Sequence, residues 1–153
     1  MTRLTTLALL AALALTACSR EEQPAPDASP QAAAPTASAS NMGENLTPDP
    51  GRKIIVVQMM TDEQGNNRFD PAEFEAHPGD VIRYTLKSGV HNANFVPDSN
   101  TIKTGLPPAT PLLQLPGQTI DIKVTMPPGK YYFHCDPHAL LGMKGWLEVE
   151  ADD

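Results

Sequence analysis

The sequence predicts an all-β fold, a Greek-key β-sandwich whose functional loops gather at one end. Two stretches alternate with period two. In "VIRYTL" Ile82, Tyr84 and Leu86 share one face and Arg83 and Thr85 the other; in "QTIDIKVTM" Ile120, Ile122, Val124 and Met126 alternate with Asp121, Lys123 and Thr125. Turn signals recur at short intervals, "HPGD" at 77–80 and "PPG" at 127–129. No convincing amphipathic helix interrupts them, so two packed sheets are the way to bury these faces.

The remaining strands follow in order. "KIIVVQMM" is rich in β-branched residues, and its Met59 and Met60, like Met126 further on, are read as strand packing. "EFEAH" leads into the "HPGD" turn, where His77 is expected to be solvated, and "VIRYTL" leads out of it. After "PPG" the chain enters "KYYFHC", in which Tyr131, Tyr132 and Phe133 alternate so that some of them join the core. "GWLEVE" closes the domain with Leu147 and Val149 inward and Trp146 half-exposed on the outward phase. The stretch 97–116 reads as a loop with a short helical turn.

Ahead of the domain the 153-residue chain has two further parts. Residues 1–17, "MTRLTTLALLAALALTA", carry one basic residue, Arg3, and an apolar run from Leu7 to Leu15, which is the pattern of a secretory signal. That run is far short of the roughly 20 residues a membrane-spanning helix needs. Leu15 occupies the position three before Cys18, where ordinary signal cleavage wants a small side chain. "LTAC" resembles instead the lipobox of bacterial lipoproteins; the alternative is plain cleavage nearby with Cys18 an idle thiol. The resemblance implies that Cys18 is acylated through its sulfur and holds the protein on a membrane, and Ser19 after it implies the outer membrane, facing the periplasm. Residues 18–51 are Pro-, Ala- and Ser-rich and are expected to form a disordered tether spanning roughly 30 Å, with the folded domain at 52–153.

Charge and cysteine usage narrow the function. The chain has 18 acidic residues against 11 basic ones, and loss of the leader removes one positive charge more. No basic patch is available for nucleic acid, so no nucleic-acid partner is expected. An exported chain sits where disulfides persist. If Cys18 is lipidated, Cys135 has no partner, and an unpaired thiol there needs protection that a bound metal would provide.

Cys135 stands in "HCDPHALLGM", three positions before His138 and eight before Met143. Three readings are open for this stretch: a soft metal site, a Cys/His nucleophile, or a turn whose sulfurs fill the core. Cys135 ends one strand while His138 and Met143 lie in the loop before the next, and "GVHNANF" puts His91 in the loop after "VIRYTL". Two imidazoles, a thiolate and a thioether form a mixed N/S set that suits copper in both oxidation states, with methionine as a weak axial ligand. Zinc gains little from a thioether. A nucleophile needs an exposed thiolate and an orienting group, and has no use for Met143.

"NRFDPAEFEAHPGDVIRYTLKSGVHNANFV", followed at a distance by "PPGKYYFHCDPHALLGMKGWLEVE", resembles the cupredoxins, and within them the pseudoazurins and plastocyanins. The resemblance spans the whole domain. It implies a single mononuclear copper held by His91, Cys135 and His138, with Met143 axial. It further implies that the backbone N–H of Asn92 points at the thiolate while its side chain ties the ligand loops together. Pro137, having no N–H, leaves the sulfur less hydrogen-bonded, which raises the reduction potential. His138 would be the ligand nearest the surface, with Pro137, Ala139, Leu140 and Leu141 as the docking patch. Plastocyanins carry an exposed tyrosine before the cysteine; here His134 takes that place. Strand alternation turns it away from the metal, leaving a solvated strand histidine, or one that couples docking to pH.

The resemblance implies a monomeric single-electron carrier, not an enzyme, that cycles Cu(I)/Cu(II) between redox proteins such as c-type cytochromes, copper nitrite reductases or photosystem complexes. A copper carrier or storage protein is the second reading.

Overall fold

The computed structural model describes residues 41–152. The leader, Cys18 and the tether as far as residue 40 lie outside the described residues. One sheet has five strands in the order β1 (Met42–Gly43), β6 (Thr119–Lys123), β5 (Val81–Leu86), β2 (Ile54–Thr61) and β3 (Asn67–Asp70). The other has three, in the order β4 (Glu73–Ala76), β8 (Lys144–Val149) and β7 (Gly129–His134). β2 runs parallel to β5 and β4 parallel to β8, while the other pairs are antiparallel. Neighbouring strands are therefore often distant in sequence, as crossover connections between two layers require.

Alternation builds the core between the layers. Ile82, Tyr84 and Leu86 of β5 and Ile120 and Ile122 of β6 are buried, as are Tyr131 and Phe133 of β7 and Leu147 and Val149 of β8. Phe133 sits at the centre, edge-on to Phe69 at 4.8 Å and to Tyr84 at 6.1 Å, and tilted against Phe95 at 5.2 Å. Such pairs add about 1 kcal/mol each beyond the area they bury. Trp146 faces outward, half-buried, against Tyr132 at 5.3 Å with the Lys130 ammonium over its ring.

The "HPGD" turn closes by a hydrogen bond from the Asp80 N–H to the His77 carbonyl, with Gly79 at φ +89°, the left-handed conformation that the third position of a type II turn requires. The buried Asp80 carboxylate accepts from the N–H groups of His77 and Lys53 at 2.8 Å each, which holds the turn against the start of β2. His77 is not simply solvated, because its ring lies 3.5 Å from the Glu150 carboxylate.

The structure differs from the sequence expectation at the start of the domain. Residues 41–51, expected in the tether, pack on the five-stranded sheet: Met42–Gly43 pairs with Ile122 and Asp121, and Asp49 bonds both the Gly79 carbonyl and the Lys123 ammonium. The physical reason lies on the outer face of β6. Asp121, which alternation would leave in water, is fully buried and takes a two-pronged hydrogen bond from Arg83 directly across the ladder, each at 2.8 Å. Its Oδ2 also accepts from the Leu46 N–H at 2.8 Å. A charge in that position needs a cover that satisfies it, and the stretch before Arg52 provides one.

Asp121→Ala removes all three acceptor contacts and leaves Arg83 facing an emptied site. It is expected to lower the stability of the metal-free domain by about 3 kcal/mol, read from the urea midpoint at constant slope. A loss of less than ~1 kcal/mol would show that the Asp121 carboxylate, with its bonds to Arg83 and Leu46, is no more than a surface ion pair in energy.

Candidate metal centre

Two loops meet at one end of the sandwich. The first follows β5 and carries His91; the second joins β7 to β8 and carries Cys135, His138 and Met143. A bridge between Asn94 and His134, with both N–H···O bonds made at 2.9 and 3.0 Å, stitches the loops together beside the site. The segment 97–116 is irregular apart from a 3₁₀ turn at Pro97–Ser99, yet it is tied down. Leu113 exchanges backbone hydrogen bonds with His91, the Thr110 hydroxyl accepts from the Ala93 N–H, and the Asn100 side chain bonds both the N–H and the carbonyl of Tyr132. None of these anchors shows a period in the sequence, which is why the segment reads there only as loop.

The donor atoms converge. His91 Nδ1 lies 3.1 Å from His138 Nδ1, and Cys135 Sγ lies 3.6 Å and 3.4 Å from these two nitrogens. A cation at the centre of such a triangle stands about 2 Å from each corner, the length of a metal–imidazole bond and slightly under that of a metal–thiolate bond. The residues therefore fit a metal, and the soft donor set fits copper. Met143 is fully buried, and its backbone grips both neighbours: its N–H donates to the His138 carbonyl and its carbonyl accepts from the Cys135 N–H, each at 3.1 Å. His91, Cys135, His138 and Met143 could hold one copper.

Burial sets the electrostatics. His91, Cys135 and Met143 have no exposed surface, whereas His138 is only partly covered and is the ligand nearest solvent. Burial, reinforced by the neighbouring His138, lowers the pKa of His91 to about 4, so its ring is neutral at pH 7 and one nitrogen carries a free lone pair. Burial also pushes the Cys135 thiol up, opposed by the backbone N–H groups of Asn92 and His138. A fully buried sulfur with a raised pKa is the opposite of what a cysteine nucleophile requires.

Asn92 and Asp136 join the loops. The Asn92 carboxamide accepts from the Asp136 N–H at 2.8 Å and donates to its Oδ2 at 2.6 Å. Asp136 Oδ1 receives Asn94 at 2.8 Å and contacts the His134 ring at 3.1 Å. His134 is therefore not a solvated strand histidine: its side chain is 18 % exposed and is packed edge-on against Tyr132. The sequence carried one unused signal for this arrangement, a carboxylate placed directly between ligand Cys135 and Pro137.

Pro137 opens the 3₁₀ turn Asp136–Leu141, where a missing N–H costs no helical bond. Pro137, Leu140 and Leu141 are exposed, Leu140 completely and Leu141 by 70 %, while Ala139 is half-buried. The structure adds exposed apolar residues that the sequence did not single out: Val90 beside His91, and Leu112 beside Leu113.

A family model described as copper binding proteins, plastocyanin/azurin family, matches residues 56–150. Plastocyanin of Vicia faba is 35 % identical over 92 residues, which cover 56 % of this chain and 90 % of that one. Chloroplast plastocyanin of Oryza sativa subsp. indica is 33 % identical over 86 residues, 53 % of this chain and 54 % of that one, so the chain spans about half the length of such relatives. Oxidized plastocyanin from Dryopteris crassirhizoma aligns with a TM-score of 0.48 at 31 % identity, over 62 % of this chain and 99 % of that one. A match across 56–150 joined to a His–Cys–His triangle with the buried Met143 in the same loop leads to one conclusion: the chain belongs to the plastocyanin/azurin family of copper binding proteins, the cupredoxins.

Proposed function

We propose that the protein is a single-electron carrier, and the observation that carries this reading is the closed donor triangle with one partly exposed corner, His138. Copper bound there supplies a one-electron Cu(I)/Cu(II) couple. The chain holds the donors in fixed positions: Asn92 and Asp136 lock the two loops, and the backbone of Met143 clamps both Cys135 and His138. Little has to rearrange on oxidation or reduction when the donors cannot move. Three fully buried donors leave no opening for a substrate, and they favour retention of the metal over delivery or storage. The His138 imidazole is then the shortest way between the site and a docked protein.

The exposed leucines around His138 support transient docking. Apolar side chains in such a cluster mark a contact surface, and redox encounters use small, weak ones. The partners proposed are redox proteins such as c-type cytochromes, copper nitrite reductases or photosystem complexes, met by a monomer. The lipobox-like "LTAC" supports a place in the periplasm, anchored to the outer membrane through Cys18.

One equivalent of Cu(II) is expected to produce an intense blue or green thiolate charge-transfer band that bleaches with ascorbate and returns on reoxidation. A colourless protein, or loss of metal on reduction, overturns the carrier reading. Replacing Leu140 and Leu141 together by Ser is expected to slow bimolecular electron exchange with cytochrome c at least tenfold, since the loss of apolar contact worth ~1.5 kcal/mol in total already corresponds to that factor, while the visible spectrum stays unchanged. An unchanged rate would move the docking surface elsewhere. Cys18→Ala is expected to shift the expressed protein from the membrane fraction to the soluble periplasmic fraction; equal membrane association in the variant would rule out the lipid anchor.

A further inference from the structure

Behind His91, on the side away from the donor triangle, its Nε2 lies 3.1 Å from the Thr61 hydroxyl at the end of β2. The same hydroxyl oxygen lies 2.7 Å from Asn67 Oδ1 at the start of β3, the residue paired with Thr61 across the β2–β3 ladder. A hydroxyl has one proton to give. Asn67 turns its amide N–H₂ towards the Gly65 carbonyl at 3.4 Å, which leaves its oxygen facing Thr61. The Thr61 proton therefore goes to Asn67, and the lone pair left on Thr61 Oγ1 can only accept from His91 Nε2–H.

We infer that Thr61, held by Asn67, fixes His91 in the Nε2–H tautomer and so presents the Nδ1 lone pair to the metal. Thr61 is a positioning residue in this arrangement, and the inference rests on reading His91 Nδ1 as a copper ligand. Ligand histidines commonly have their second ring nitrogen fixed in this way, and loss of the fixing partner lowers metal affinity.

Two further features serve the same contact. Ser88 pins Thr61 in place: the Ser88 hydroxyl donates to the Thr61 carbonyl at 2.7 Å, and the Thr61 N–H returns to the Ser88 hydroxyl oxygen at 3.1 Å. Gly89, at φ +86°, leaves the approach open, since a Cβ there would stand 2.3 Å from Thr61 Oγ1 and 2.6 Å from His91 Nε2.

The test begins without metal. Long-range ¹H–¹⁵N spectra of the metal-free protein, full chain and wild type, are expected to show His91 as the Nε2–H tautomer; an Nδ1–H tautomer overturns the inference whatever copper does. Thr61→Val keeps the shape of the side chain and removes the acceptor. It is expected to show a second tautomer and about tenfold weaker Cu(II) binding in competition with a chelator, while Thr61→Ser restores both. Thr61→Val with an unchanged tautomer and an affinity within twofold of wild type also overturns it. Wild type that shows the Nε2–H tautomer but binds no copper would instead overturn the ligand reading, so the two failures are distinguishable. Far-UV circular dichroism of each variant confirms that the tautomer is read on folded protein.

Discussion

Asn92 and Asp136 face each other across two loops that are 44 positions apart, and the reciprocal pair of hydrogen bonds between them is the contact on which the site depends. An amide that both accepts from and donates to the same residue fixes distance and orientation together; neither loop can slide without breaking both bonds. One of the two bonds ends on a carboxylate, which makes it stronger than a neutral one. Burial acts to raise the pKa of Asp136, but hydrogen bonds from Asn94, Asn92 and His134 outweigh it and hold the carboxyl below its usual range. The charge is thus kept where it can accept three side chains at once.

Around that contact the fold gathers groups that are uncomfortable alone. A thiol and an imidazole without exposed surface lose their water, and both respond by favouring the neutral form, the thiol by a raised pKa and His91 by a lowered one. Neutral imidazole is already the form a metal ligand needs, while the thiol must lose its proton. Metal binding and proton release are therefore linked at Cys135 and hardly at all at His91. A core centred on Phe133, which takes in Cys135 and Met143 as well, and a ladder sealed by Arg83 and Asp121 hold these groups in place.

How much of this was legible in the sequence follows from the range of each interaction. Alternation in "VIRYTL" and "QTIDIKVTM" reports which side of a strand meets the core, and the buried residues Ile82, Tyr84, Leu86, Ile120 and Ile122 stand on that side. Alternation is silent on what covers the other side. Asp121 was assigned to the outer face, where it does lie, but its burial under residues 41–46 depends on a two-residue strand and one backbone N–H, too short a signal to show in a Pro- and Ser-rich composition. The four donors in the candidate site were legible because cysteine, histidine and methionine at these spacings have few other reasons to occur together. Thr61, Asn67, Asn94 and Thr110 were not, since a hydroxyl or amide at a strand end has many roles and only the fold selects one.

The second loop also carries the partly exposed imidazole and the exposed leucines on one short element. A 3₁₀ turn repeats about every three residues, so side chains three apart lie on one side. In Asp136–Leu141 this directs His138 towards the buried sulfur while Leu140 stands fully in solvent, and Gly142, at φ 88°, ends the turn so that Met143 can re-enter the core. One turn thus sets the distance between the partly exposed imidazole and the apolar surface next to it. The exposed leucines and the one partly exposed imidazole thus reach solvent from the same turn.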